Sequence, residues 1–303
     1  MYEKTRIRAA SICLLLAVLI LFAGCSSNTG GQVATSDTAV PSNLHLDFLD
    51  VGQGDACLVS WSEDGTKQFG VIDAGPPGSS GHVVEELKER GCHEVRVLVF
   101  THAHADHYGG GVSILNTFKV DEIWQPSTVN SMAAGWATLE DTARKKGIRI
   151  VGVSAGTRAR WGNARVQVLN PSGSTSSSAN NSSIVLLITE GRSNLLLAGD
   201  AEIQAEEQMA SGVLPDVELM KASHHGSQNG ADARFITAIA PDISIISVGA
   251  NSYGHPNKEA VLLLTGYGSV LRTDQQGEIT VDLAGDDIEV HSENGFNETV
   301  PSR

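Results

Sequence analysis

Thr101-His102-Ala103-His104-Ala105-Asp106-His107 follows directly on the apolar run Val95–Phe100. Three imidazoles and a carboxylate fall within six residues, and zinc and other first-row divalent cations accept both groups as ligands. On an extended segment His102, His104 and Asp106 share one face, because side chains alternate along a strand. A turn at Asp106-His107 would swing His107 toward a second cation. Gly109 and Gly110 allow the backbone to bend closely behind that turn.

Working outward, three further runs carry the same kind of side chain. Leu195–Ala198 is apolar and ends in Gly199-Asp200. A carboxylate at a strand end can bridge two cations, or it can cap the helix expected over Ala201–Ser211. Lys221-Ala222-Ser223-His224-His225-Gly226-Ser227 also follows an apolar strand. One of its two imidazoles would ligate metal while the other meets substrate or the groups that orient the ligands. Tyr253-Gly254-His255-Pro256 holds a His in a rigid turn. Six of the ten His residues lie in these runs, which argues for one assembled site rather than scattered surface imidazoles. Asp50, Asp55 and Asp73 sit in neighbouring turn motifs and read as carboxylates that support turns or orient ligands.

The remaining pattern is strand-rich. Leu44–Asp50, Asp55–Trp61, Gln68–Ala74 and Val95–Phe100 read as strands. Helices are expected at His82–Arg90, Val112–Phe118 and near Met132–Lys146, with strands at Glu122–Gln125, Ile148–Val153 and Arg165–Leu169. A comparable succession follows from Ile184 to Leu283. Strands mixed with helices on outer faces predict an α+β chain of two packed sheets with helices outside. Residues 44–290 form the predicted domain and 291–303 a polar tail. Ser172–Ser183 is a polar, low-complexity stretch. It reads as a loop, with a site role open for Asn180 or Asn181.

Composition narrows the function classes. The chain has 303 residues, 41% of them apolar, and a formal charge of -14. Such a chain buries a core and is not wholly disordered. The excess of acids argues against a broadly basic nucleic-acid binder, although bound metal can set a local field in a nuclease. Four Cys are too few for a disulfide scaffold. Cys57 and Cys92 could pair or remain free thiols.

The N-terminus reads as an address. Lys4, Arg6 and Arg8 precede an apolar run from Ile12 to Ala23, too short for a comfortable span of ~20 residues. Leu21-Phe22-Ala23-Gly24-Cys25 resembles a bacterial lipobox. Residues 1–24 are thus expected to be a lipoprotein signal peptide, and Cys25 the lipidated first residue of a flexible tether over 25–43. That would place the domain outside the cytoplasm, on the outer face of the bacterial cytoplasmic membrane, with the lipid bilayer as a partner. Removing residues 1–24 takes away Lys4, Arg6, Arg8 and Glu3, so the charge moves from -14 to -16.

His102–His107 is similar to the HxHxDH signature of the metallo-β-lactamase superfamily. Phe48–Ala56, Val71–Gly75, Gly199-Asp200, Lys221–Ser227 and Gly254-His255-Pro256 further resemble the extracellular hydrolase domain of ComEC competence proteins, in order, over residues 44–285. The resemblance implies an αββα four-layer sandwich with two divalent metal ions, Zn or Mn. It implies that His102 and His104 hold the first ion. Asp106, His107 and His225 hold the second, with His224 as the alternative to His225, and Asp200 bridges. Many superfamily members supply a third His to the first ion, but no His occurs here between His107 and His224. Asn180, Asn181 and Ser183 occupy that region.

A bound divalent cation lowers the pKa of water from ~15.7 to ~7, so no Ser or Cys nucleophile is required. Asp106 is expected to orient the water, and His224 and His255 to stabilise charge on the substrate. Asn181 and Ser227 are expected to contact it. The favoured activity is metal-dependent hydrolysis of a phosphodiester, either DNA or a small phosphodiester. The acidic chain favours the small ester. The alternatives are hydrolysis of lactam, lactone or other ester bonds, and a non-catalytic metal- or ligand-binding lipoprotein. No protein partner is inferable from these residues.

Overall fold

A computed structural model describes residues 44–303 apart from 130, 132, 173–177 and 285. The expected signal segment 1–24, Cys25 and the tether over 25–43 lie outside the described residues.

The strands in chain order begin with β1 (His45–Phe48), β2 (Ala56–Glu63), β3 (Thr66–Ala74), β4 (Glu94–Val99), β5 (Lys119–Pro126) and β6 (Arg149–Val153). Then come β7 (Arg158–Trp161), β8 (Ala164–Asn170), β9 (Val185–Glu190), β10 (Ser193–Leu197), β11 (Leu219–Lys221), β12 (Ile243–Ile246) and β13 (Ser269–Arg272). The last are β14 (Ile279–Ala284), β15 (Asp287–Ser292) and β16 (Asn297–Pro301). They form two sheets, of order β16-β15-β14-β1-β2-β3-β4-β5-β6 and β13-β12-β11-β10-β9-β8-β7. Both are mixed. The first is parallel from β3 to β6 and the second from β10 to β13.

Period-two alternation sends one face of each strand inward. Leu46, Phe48, Val59, Trp61, Val97 and Val99 of the first sheet meet Val166, Val168, Leu186, Ile188, Leu195 and Leu197 of the second in one buried core. Trp61 stacks on Trp161 at 5.7 Å between ring centroids. The outer face of the first sheet packs on helices Ser80–Glu89, Gly111–Thr117 and Ala134–Lys145 through Val83, Leu87, Ile114, Leu115 and Leu139. The outer face of the second packs on Ile203–Ala210, Ala233–Ile239 and Lys258–Thr265 through Ala205, Met209, Phe235, Ile239 and Leu264. The expected αββα sandwich is therefore borne out. Two of these helices start where local chemistry dictates. Asp232 accepts hydrogen bonds from the amides of Arg234 and Phe235, and Asn257 from those of Glu259 and Ala260.

Two differences from the sequence reading have physical causes, and one alternative it left open is decided. The polar tail expected over 291–303 is instead sheet. β15 runs across the 290 boundary and pairs with both β14 and β16. β16 is the edge strand and β15 its neighbour, and together they bury only Ile288, Val290 and Val300, too few to make an apolar period visible. β7, Arg158–Trp161, is likewise an edge strand with a charged outer face. Cys57 and Cys92 are free thiols. Cys57 lies between the sheets and Cys92 in the outer helical layer, on opposite sides of the first sheet. No helix among the described residues is long and apolar enough to cross a membrane.

Candidate metal centre

The four runs read from the sequence meet at one edge of the sandwich. Thr101 follows β4, Asp200 follows β10, Ser223 follows β11 and Ser247 follows β12. These are carboxyl ends of parallel strands, where open α/β sheets characteristically place ligand sites. Backbone bonds stitch the site together there: Ile184 N donates to Thr101 O at 2.8 Å, joining the two sheets, and His224 N donates to Gly199 O at 3.0 Å within the second.

His102, His107 and Asp200 offer ligand atoms that lie within 4.8 Å of one another, and so do Asp106, His107 and His225. His107 Nε2 lies 3.2 Å from Asp200 Oδ2, and His102 Nε2 lies 3.7 Å from it. His225 Nε2 is 3.4 Å from Asp106 Oδ2 and 3.6 Å from Asp200 Oδ2. His104 is exposed beside them, its Nδ1 at 2.9 Å from His102 Nε2. The extended row expected for His102, His104 and Asp106 is not formed. The chain turns into a short helix over Ala105–Tyr108, which carries Asp106 away from the first two His and toward His225.

The residues behind the ligands fix their orientation. Asp73 accepts from Thr101 N at 2.8 Å, from Thr101 Oγ1 at 2.7 Å and from His107 Nδ1 at 2.8 Å. His225 Nδ1 donates to Ser247 O at 2.9 Å. In the neutral rings with Nδ1 protonated, each Nε2 would present a lone pair to a bound cation. Asp55 lies 3.3 Å from His225 Nδ1 and forms an ion pair with buried Lys221, which also donates to Gly199 O at 3.2 Å. Asp50 accepts from Gly52 N in a surface turn. Asp55 and Asp73 thus support the ligands and Asp50 a turn, as the sequence suggested.

Backbone strain is concentrated in the same place. Asp73, His224 and His225 have φ of 58°, 48° and 53°, conformations that cost non-glycine residues ~1–3 kcal/mol each and cluster at functional sites. Gly226 follows at φ 73°, and a Cβ there would stand 2.7 Å from Pro256 Cβ. Only glycine lets the His pair close against the His255 turn.

The chemistry of this set fits divalent metal. His107 Nε2, His225 Nε2 and Asp200 Oδ1 are buried without a hydrogen-bond partner, and such orphaned groups call for an explanation. Burial pushes His102 well below the usual histidine range, which keeps it a neutral ligand. Burial opposes charge on His225 as well, but Asp200 and Asp55 outweigh it and lift its pKa to about 10. The His107 and His225 imidazoles lower Asp200 well below the carboxylate range against its burial. Carboxylates outnumber the fixed cations here, a field that a metal ion complements.

Above this floor opens a cleft of about 360 Å³, bordered by Gln53, His104, Asn180, His224, Tyr253 and His255. His224 and His255 pack ring against ring at 5.3 Å. The structure separates the two adjacent His: His225 is buried among the ligand atoms, whereas His224 stands at the rim. Asn251 holds the His255 turn, accepting from Tyr253 N and His255 N and donating to His255 O. Gln53 lay inside the Phe48–Ala56 run without a role of its own, and no spacing in the sequence pointed to Asn251.

Two expected substrate contacts are placed elsewhere. Asn181 turns away from the cleft, and its Oδ1 accepts from Glu202 N and Ala205 N at the start of helix Ile203–Ala210. Its neighbour Asn180 lines the cleft instead, with Nδ2 at 3.4 Å from His224 Nε2. Ser227 Oγ accepts from Asn229 N and is absorbed in its own turn. Asp200 does not cap the following helix, because Glu202 holds the N-cap position and Asp200 N donates to Ser183 Oγ.

One further buried acid supports the His pair. Glu206 is fully buried and accepts from Ser223 Oγ and Asp232 N, both at 2.6 Å. Burial lifts its pKa to about 7 from an ordinary 4.5. The folded state therefore favours its protonated form. This stability is full below pH ~4.5 and is lost as pH rises through about 7, by roughly 3 kcal/mol. Glu206→Gln is expected to gain stability relative to the parent chain as pH rises from 5 to 8 in urea titrations. A difference between the two that stays constant across that range would show Glu206 ionised throughout.

A two-sheet sandwich whose strand ends gather His and Asp around a cleft defines a metal-centre protein of hydrolase type. The chain belongs to the metallo-beta-lactamase superfamily, whose family model matches residues 49–250. Among curated proteins it is 29% identical to ComE operon protein 3 of Bacillus subtilis (strain 168) over 288 residues, covering 88% of this chain and 35% of that protein. It is 27% identical to Recombination protein 2 of Haemophilus influenzae, covering 81% of this chain and 29% of that protein. The chain thus spans about a third of the length of these relatives, and the likeness to competence proteins read from the motifs is borne out. Among solved structures, CmlA, a diiron beta-hydroxylase from Streptomyces venezuelae, aligns with a TM-score of 0.51 at 16% identity, covering 80% of this chain and 55% of that one. That likeness speaks to the fold alone.

Proposed function

We propose that this centre is the active site of a metal-dependent phosphodiesterase acting outside the cytoplasm. The observation that carries the reading is the convergence of unpartnered His107 Nε2, His225 Nε2 and Asp200 Oδ1 at the floor of an open polar cleft. His102 and His104 would hold one cation and Asp106, His107 and His225 the other, with Asp200 shared between them. Zn and Mn both suit this set of N and O ligands. Such ions supply Lewis acidity and make water a nucleophile at neutral pH.

The chain's own residues do the rest. Asp73 and the Ser247 carbonyl hold the two imidazoles in the ligand tautomer. Asp106 is placed to accept a proton from the attacking water. His224 and His255, both held below the usual histidine range chiefly by burial, are neutral at pH 7. Each offers one N–H to a phosphate oxygen as charge grows there. Asn180 replaces Asn181 as the amide facing substrate. The lipid anchor at Cys25 belongs to the same proposal and would tether the site to the outer face of the cytoplasmic membrane. An N-terminal peptide of the native protein that still begins before Cys25 would refute the anchor.

The test is hydrolysis of bis-p-nitrophenyl phosphate, single-stranded DNA and nitrocefin by the chain supplied with Zn or Mn. Phosphodiester cleavage that chelator stops is expected. It should disappear in the Asp106→Ala/His107→Ala variant while the circular dichroism spectrum is kept. Cleavage of nitrocefin alone would transfer the assignment to lactam hydrolysis, and bound metal without any turnover would support a binding protein.

A further inference from the structure

The charge of this chain is unevenly distributed. Among the described residues, every arginine outside the segment 158–192 pairs with a carboxylate: Arg90, Arg96, Arg144 and Arg149 before it, Arg234, Arg272 and Arg303 after it. Inside the segment, Arg158, Arg160, Arg165 and Arg192 share their stretch of sequence with a single acid, Glu190, in a chain whose net charge is -14, although Arg160 also borders a pocket that holds Glu63, Asp121 and Glu122. The first three come together. Arg160 lies opposite Arg165 in the β7–β8 ladder and Arg158 opposite Gln167. Arg165 in turn lies opposite Thr189 on β9. Alternation puts all three guanidinium groups on the outer face of the sheet. Like charges directly opposite one another in a ladder are destabilising, and among the described residues no carboxylate is within ion-pair distance of these three. Their strands are held from the other side, by Trp161, Ala164 and Val166 in the inter-sheet core.

The face is concave. Helix Ile203–Ala210 packs at the Asn170 end of β8. Beyond it Arg158, Arg160, Arg165, Gln167, Leu187 and Thr189 line a groove of about 490 Å³. The metal centre lies elsewhere: Arg165 is separated from Asn170, which braces Ser183 beside Asp200, by five residues of strand, or roughly 17 Å.

We propose that this groove binds the phosphate backbone of a single-stranded nucleic acid, independently of the metal centre. Guanidinium groups bind phosphate through paired N–H donors and tolerate stacked bases, and a positive groove that tracks a backbone is the common device for single strands. A lipid surface fits less well. Among the described residues the exposed large apolar side chains are Ile203, Val213, Tyr253, Leu262 and Tyr267; none of them lines the groove, so none of them would carry it into a bilayer. The local patch also answers the objection from net charge, because binding depends on the three arginines rather than on the whole chain.

The experiment uses the full chain in chelator and a fluorescein-labelled dT20, followed by anisotropy at increasing NaCl. Specific binding is expected. In R158Q/R160Q/R165Q it should weaken at least tenfold at low salt, and the log–log salt slope should fall by about 2, the value for three phosphate contacts on a single strand. Hydrolysis of bis-p-nitrophenyl phosphate by the metal-loaded variant should match the parent chain. Equal affinity and slope in the two proteins would overturn the proposal, as would binding to phosphatidylglycerol vesicles without binding to dT20. Oligonucleotide binding lost in the variant, with no hydrolysis by either protein, would uphold the groove and sink only the phosphodiesterase reading.

Discussion

Asp200→Asn is expected to abolish the pairing of cations at the centre and, with it, hydrolysis. Asp200 Oδ2 is within 4 Å of His102, His107, His224 and His225 nitrogens, so one carboxylate serves both ligand groups. Removing an outer partner of a metal ligand costs ~10–100-fold in affinity or activity. Losing the shared ligand should exceed that, with metal content falling to one ion or fewer per chain. The fold should survive, because Asp200 does not cap the following helix. Asn181 Oδ1 receives the Glu202 and Ala205 amides in its place. Metal analysis and turnover of bis-p-nitrophenyl phosphate decide the matter. A variant retaining two ions and activity within a few-fold of the parent would remove Asp200 from the centre.

The largest stability effect is expected at Lys221. Its ammonium is buried, paired with Asp55 and bonded to Gly199 O. Asp55 is itself buried against His107 and His225. Lys221→Met leaves that carboxylate facing Asp73 and Asp200 with its strongest counter-charge gone. Breaking one side of a buried pair costs ~3–5 kcal/mol, whereas replacing both partners with neutral groups is often tolerated. Urea denaturation of Lys221→Met should therefore show a loss of that size, against a whole-domain stability of ~5–15 kcal/mol. Adding Asp55→Asn should recover most of it. A single variant within about 1 kcal/mol of the parent would show that the pair contributes no more than an exposed ion pair does.

These two residues mark how far the sequence was legible. Asp200 was found from its own run, an apolar strand ending in Gly-Asp. Lys221 lay inside a quoted motif, but its role was invisible. Its partner Asp55 stands in a different sheet, and the burial that makes the pair matter is a property of the assembled sandwich. The same limit explains Asn181. Choosing between two adjacent Asn residues depends on which one meets helix Ile203–Ala210, and a polar stretch without a period carries no such information. β15 and β16, at the end of the first sheet, were missed because together they bury only three apolar residues.

The sequence by itself determined the layered α+β fold, the strand-end position of each ligand run and the identity of the metal-ligating chemistry. Apolar alternation, glycine at turns and clustered imidazoles are local signals, and each was present in a window of a few residues. Only the tertiary structure decided that His225 faces the centre while His224 forms its rim. It also decided that Asp106 leaves the His102–His104 row and that Asp73 orients His107 from 34 residues away. Those outcomes depend on distances between chain segments that only packing of the two sheets brings together.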